Sequence, residues 1–256
     1  MSKQALVISK DDFFKYVVKT FEEQMYKTDH LPYDAMYMHS DGYASLEPDK
    51  PMTFVLHGLY LMRFLKEHKA GMMSRLFCEN DDNYLQLIPY IFLINENNEV
   101  FIYARGEKGD EGRLHGLCSM GIGGHIEECP TKDLDIFSII NQATMRELIE
   151  EVDYAGPPIS IFKNEEAWTH PADGANRIEA VGFYSESEEV GKMHLAIAAA
   201  IKINSKDLGD HEEGVITKGE WVPIANLPAY IEENGVTLEA WSNYLRRIIL
   251  SRTYAE

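Results

Sequence analysis

The stretch that most constrains this chain is Gly121 to Tyr154, GIGGHIEECPTKDLDIFSIINQATMRELIEEVDY. It opens on Gly121, Gly123 and Gly124, a turn whose backbone can approach a ligand closely because it carries no Cβ. It closes on Arg146-Glu147-Leu148-Ile149-Glu150-Glu151, the end of a segment with helical periodicity. On a helix, Glu147, Glu150 and Glu151 stand at i, i+3 and i+4, so their carboxylates share one face. Three like charges repel unless a cation neutralises them. Mg²⁺ and Mn²⁺ are hard ions that take carboxylate oxygens and keep positions open for water and phosphate. Arg146 precedes Glu150 by four residues and is placed to pair with it. An R-E-x-x-E-E run alone is also an ordinary solvated helix face. The glycine turn at its head is what makes the stretch a loop-helix unit.

This unit resembles the Nudix box of the Nudix hydrolases, G-x5-E-x7-R-E-U-x-E-E-x-G-U, with U a bulky aliphatic residue. Gly123-Gly124-His125-Ile126-Glu127 matches the start and Arg146 to Glu151 the finish. The middle departs. Past the five residues that follow Gly124 stands Pro130 in place of Glu, and fifteen residues then precede Arg146 where the pattern has seven. Asp153 replaces the pattern's glycine. The box is thus extended by about eight residues (fifteen against seven). Upstream, Ile91 to Arg105 looks like the first core hairpin of Nudix domains. The segments GRLHG (from Gly112), GIGGHI and EVGKMHL (from Glu189) resemble a bacterial and phage branch labelled "phosphoesterase", which tolerates a longer box. The resemblance covers roughly residues 83–256. It implies a mixed β-sheet sandwiched between α-helices, an α/β/α Nudix fold, with residues 1–82 as a mostly helical N-terminal extension.

Composition sets the outer limits. A chain of 256 residues can bury an ample core. A net charge of −18 argues against extensive nucleic-acid contact, which needs a basic surface. A phosphorylated small molecule can still bind where a metal and a few local cations reverse the sign. Cys78, Cys118 and Cys129 lack metal-ligand spacing. The first residues hold no apolar core of a signal peptide, and no run reaches the eighteen or so apolar residues of a membrane span. A cytoplasmic protein without membrane contact is expected.

The chain order supports the same architecture. Residues 5–8 read as a strand, followed by a helix with Phe13, Val17 and Phe21 on one stripe. Phe54 to Leu65 suggests a second helix. Leu87–Ile94 and Glu99–Ala104 read as a hairpin turned at Asn95 to Asn98. The box helix is expected to start at Asp133 or Asp135, with Phe137, Ile140, Thr144, Leu148 and Ile149 toward the sheet and the three glutamates away from it. Ile159–Phe162, Ile178–Tyr184 and Leu195–Ile203 read as strands, the last buried on both faces, with a helix as its alternative because alanine favours one. A final helix follows Thr237.

For the site, the resemblance implies metal ligation by Glu147, Glu150, Glu151 and the Gly124 carbonyl. A late-loop glutamate joins them, with Glu213 preferred over Glu212 and Glu189. Arg146 orients the catalytic cluster Glu147, Glu150 and Glu151. Arg105, Arg113, His125 and Gly123 are the candidates for the substrate side, and surface or structural roles are the alternatives for each. The implied reaction is Mg²⁺-dependent (or Mn²⁺-dependent) hydrolysis of a nucleoside diphosphate linked to another moiety, by water attack on phosphorus. A nucleotide-binding sensor with an altered box is the alternative. An isoprenoid diphosphate isomerase would need a reactive cysteine, for which only Cys118 lies near the turn. Residues 1–82 are the candidate for substrate selection or for contact within a homodimer.

Overall fold

The structure is a computed structural model that describes residues 3–25, 35–37, 53–106, 112–127, 135–162, 180–186, 189–209 and 216–253. In chain order come β1 (Gln4–Ser9), α1 (Lys10–Met25), β2 (Ala35–Tyr37), β3 (Thr53–His57), α2 (Gly58–Glu67), β4 (Gly71–Ser74) and α3 (Arg75–Cys78). The second part begins with β5 (Tyr84–Ile94), β6 (Glu99–Arg105), β7 (Cys118–Ser119), β8 (Gly121–Ile122) and α4 (Ile136–Val152). It ends with β9 (Val181–Ser185), α5 (Glu189–Lys192), β10 (His194–Lys202), β11 (Ile216–Pro223), α6 (Leu227–Glu233) and α7 (Ala240–Thr253).

One mixed sheet joins these strands in the order β11-β6-β5-β10-β9-β3-β2, with β1, β4, β7 and β8 attached at its margins. Its axis is β5, YLQLIPYIFLI, an apolar run long enough to serve several partners along its length. It runs parallel to β10 from His194↔Gln86 to Lys202↔Ile94. Its other edge meets β1 near Gln86, β8 near Ile91 and β6 at Ile94, all antiparallel. A strand buried on both faces reads as continuous apolar sequence, which β5 and LAIAAAIK of β10 both do.

The period-two alternation of β5 sorts its side chains between two cores. Leu85, Leu87, Ile91 and Leu93 pack with Ile140, Leu148 and Val152 of α4, Phe13 of α1 and Phe64 of α2. Ile88, Tyr90, Phe92 and Ile94 pack on the opposite side with Trp241, Leu245 and Leu250 of α7. The sheet is therefore sandwiched between helices, as expected. The hairpin turn also stands where it was expected. Asn95 Oδ1 accepts from the N–H groups of Asn97 (2.9 Å) and Glu99 (3.0 Å), and Asn98 takes a φ of 60°.

Three local expectations change. Thr53–His57 is a strand rather than the head of a helix, because its alternating apolar residues pair with β9; the helix begins only at Gly58. Ile159–Phe162 is not a strand but a loop fastened to α4, where Asn141 Oδ1 accepts from Ile161 N at 2.9 Å. Residues 1–82 do carry the helices α1, α2 and α3, yet they also lend β1 to β5 and β3 to β9. Short strands have too few residues to show a clear alternation, so their pairing was not legible in advance.

Candidate functional site

The site is built where β8 leaves the edge of β5 and the chain turns toward α4. Asp135 starts α4: its Oδ1 accepts from Phe137 N (2.9 Å) and Ser138 N (3.1 Å). Asp153 ends it in the left-handed region at φ 45°, ψ 47°, the conformation a glycine would take most easily and an Asp tolerates. Between these ends the buried face runs through Ile140, Ala143, Thr144, Glu147, Leu148 and Val152.

Glu147 thus lies on the buried face, not on the solvent side as expected, and Ile149 is the exposed residue (51%). The reason is geometric. Seven residues turn a helix through about 700°, within roughly 20° of two full turns, so Glu147 falls almost directly over Ile140. Its carboxylate lies on the glycine turn: a Cβ at Gly124 would sit 2.6 Å from Glu147 Oε1. A Cβ at Gly123 would sit 1.8 Å from the Pro89 carbonyl oxygen of β5. Both glycines are there because backbone and carboxylate occupy the space of a side chain.

Arg146 ties the parts together. One guanidinium nitrogen, Nη2, donates to the His125 carbonyl at 2.7 Å and to Glu147 Oε1 in a short contact. The other, Nη1, donates to Glu150 Oε2 at 2.6 Å. The pair expected between Arg146 and Glu150 is present, and the same side chain also clamps the glycine turn to the helix. Burial raises the Glu147 carboxyl from its ordinary 4.5 to about 7, against the pull of Arg146 and with further lift from Glu150 and Glu127.

A pH dependence follows. Between about pH 4.5 and 7 the folded protein keeps a proton on Glu147 that the unfolded chain has released. The stability this group contributes is therefore full below pH 4.5 and lost as pH rises through about 7. Urea denaturation in the presence of chelator is expected to show this decline in the wild type. Glu147→Gln is expected to flatten it over the same interval.

The remaining carboxylates differ in their surroundings. Glu150 is exposed and held by Arg146, whereas Glu151 is half-buried and acts electrostatically on Tyr103 and Arg105 of β6. Among the described residues no three His, Cys, Asp or Glu side chains converge as a ready-made metal centre. The donor chemistry nevertheless fits a hard cation. Glu147, Glu150, Glu151 and the turn's carbonyls offer only oxygen, and buried Glu147 still carries an elevated pKa beside Arg146.

Of the other candidates, Arg105 is half-buried; Nη2 lies 3.4 Å from Tyr103 Oη, and its buried Nε has no hydrogen-bond partner among the described residues. Arg113 has its backbone in a short 3₁₀ turn, Gly112–Leu114, with its side chain outside the described residues. Glu212 and Glu213 lie outside them altogether, as does the Glu189 side chain. His125 meets His194 of β10, Nε2 to Nε2, at 3.3 Å. An open groove of about 540 Å³ runs beside α4 between Met145, Arg146, Ile149, Glu150 and Ile159.

A buried polar network under the turn was not anticipated. Tyr90 Oη meets Glu239 in a short contact, Ser242 Oγ at 2.7 Å and Ser119 Oγ at 3.0 Å. Glu239 also caps α7, accepting from Trp241 N (2.8 Å) and Ser242 N (2.9 Å). Tyr103 Oη donates to the Gly121 carbonyl at 2.7 Å, so the network reaches the first glycine. The available signal was Tyr90 within the apolar run of β5, together with a Glu three residues before Ser242. Tyr90→Phe is expected to cost about 1.5–3 kcal/mol by removing a donor from a buried carboxylate, measured by urea denaturation.

With the geometry in view, the comparisons are informative. No family profile matches the chain. YmaB of Bacillus subtilis (strain 168) is 29% identical over 178 residues, covering 69% of this chain and 77% of YmaB. Tm1382, a crystal structure described as that of a candidate Nudix hydrolase, superposes over 96% of this chain and 97% of its own. The TM-score is 0.58 at 19% identity. The chain has the Nudix fold. That superposition takes in 96% of this chain, so it reaches most of the residues before β5. No described helix is long and apolar enough to cross a membrane.

Proposed function

We propose that this protein is a cytoplasmic, metal-dependent Nudix pyrophosphohydrolase that cleaves the diphosphate linkage of a nucleoside diphosphate joined to another moiety. Residues 83–256 carry the reaction, and residues 1–82 complete the sheet and shape the pocket. The observation that carries the reading is the Arg146 clamp, which fixes the glycine turn and two box carboxylates in one unit.

Bound Mg²⁺ or Mn²⁺ would neutralise the diphosphate and acidify a water for in-line attack. Glu147, Glu150, Glu151 and the Gly124 carbonyl would hold it, with Glu213 as the further ligand from the late loop. Arg146 orients Glu147 and Glu150 and keeps the turn against the helix. Arg105, Arg113, His125 and Gly123 take the substrate side, where Arg105 answers phosphate charge. A carboxylate, from the box or from a nearby loop, accepts the proton of the attacking water.

The test is a hydrolysis panel of nucleoside diphosphate derivatives, dinucleotides and nucleoside triphosphates with Mg²⁺ or Mn²⁺. Metal-dependent release of a nucleoside monophosphate by the wild type, reduced at least 100-fold in Glu150→Gln/Glu151→Gln, is expected. No cleavage alongside nucleotide binding that raises the melting temperature would replace this reading with that of a nucleotide sensor. That no three acidic, histidine or cysteine side chains converge among the described residues is the observation that favours the sensor.

A further inference from the structure

The α7 side of the sheet contains polar groups that neither the clamp nor the buried tyrosine network uses. Gln86 is completely buried, and neither its amide nitrogen nor its amide oxygen has a hydrogen-bond partner among the described residues. The indole nitrogen of Trp241 is buried without a partner as well. His194, 6% exposed, is the β10 register neighbour of Gln86, and its ring lies 6.3 Å from that of Trp241. Gln86 falls on the same face of β5 as Ile88 and Tyr90, beneath α7. These groups form one polar layer in an apolar core.

Such a layer is unfavourable in the folded protein by itself. A buried amide lacking both partners loses its water and gains nothing in exchange. A leucine of nearly the same volume would suit a strand whose neighbours are Leu85, Leu87 and Ile88. Buried groups left open in this way satisfy themselves on an ordered water or on a ligand. The burial gradient marks the entrance: Gln86 is innermost, then His194, then half-buried His125, whose ring touches His194 at 3.3 Å. His125 belongs to the turn clamped by Arg146.

We propose that Gln86, His194 and Trp241 form a recognition subsite for the hydrogen-bonding edge of a nucleobase, entered beside His125. The chemistry selects this ligand class. An amide presents a donor and an acceptor side by side, the pairing that reads the amino and ring-nitrogen edge of a base. The indole adds a second neutral donor. No guanidinium or ammonium group is among the three, so phosphate is a poor occupant. The inference rests on the nucleotide reading above and locates its base-selecting end.

The experiment measures binding of AMP, GMP, CMP, UMP and ribose 5-phosphate by calorimetry to the full chain with Mn²⁺ present, for wild type and Gln86→Leu. The wild type is expected to bind at least one nucleotide tenfold or more tighter than ribose 5-phosphate. Gln86→Leu is expected to erase that preference while its urea midpoint stays level or rises. A preference that survives the substitution means the amide holds a water only and overturns the proposal. So does a wild type that binds ribose 5-phosphate as well as any nucleotide. Should Gln86→Leu fail to fold, Trp241→Phe keeps the ring and deletes the donor, and an undiminished preference there also overturns it. The two readings separate cleanly. A Gln86-dependent base preference in a protein that hydrolyses nothing keeps the subsite and removes the hydrolase. Hydrolysis with no such preference does the reverse.

Discussion

Arg146→Ala is expected to abolish activity and to loosen the fold in one step. The guanidinium makes three connections at once, to the His125 carbonyl, to Glu147 and to Glu150. Its loss leaves Glu147 only 7% exposed with no cation beside it. Breaking a buried ion pair from one side typically costs about 3–5 kcal/mol, and Arg146 itself is about one-third exposed, so roughly 3 kcal/mol is expected. The carboxyl then stays protonated to higher pH. The turn also loses its tether to α4, and a displacement of about 1 Å is enough to lower a rate on the order of 100-fold. Arg146→Lys keeps the charge but cannot span three acceptors with a fixed planar fork, so it is expected to recover stability better than rate. Urea denaturation and the hydrolysis panel, run on both variants, check the two effects separately.

Gly123→Ala is the second substitution with a large expected effect. Its new methyl group would stand 1.8 Å from the Pro89 carbonyl oxygen, an atom of the central strand that cannot swing aside. The turn must move off β5 and carry Gly124 away from Glu147. Overpacking against backbone of this kind destabilises by about 3 kcal/mol, and the displaced turn is expected to remove activity. Gly71→Ala is the control, since nothing lies within 4 Å of the added Cβ and its φ is ordinary. A thermal melt should show a clear drop for the first variant and none for the second.

How far the sequence reached depended on the length of each signal. The box helix, the hairpin and the parallel central strand were legible because each spans enough residues to display its period or its continuous apolarity. The Asp135 cap followed from ordinary capping chemistry. The short strands β2 and β3 were not legible, since they have three and five residues. Glu147 was assigned to the wrong face because a charged residue was read as polar and therefore outward. Its azimuth over Ile140 gave the opposite answer, and the decisive partner was the side-chain-free surface of Gly124. The Tyr90–Glu239–Ser242 network joins residues separated by as many as 152 positions, and no local pattern encodes such a pairing. The same holds for Gln86, whose amide is notable only once its surroundings are known.

The central claim is that the clamped carboxylates at the glycine turn hold a divalent cation for diphosphate cleavage. Mn²⁺ titration followed by electron paramagnetic resonance tests it most directly, on wild type, Glu147→Gln and Glu151→Gln. The account predicts a saturable Mn²⁺ site in the wild type whose affinity falls at least tenfold in each variant. An unchanged Mn²⁺ titration in both variants, or no bound Mn²⁺ in a wild type that still binds nucleotide, would contradict it.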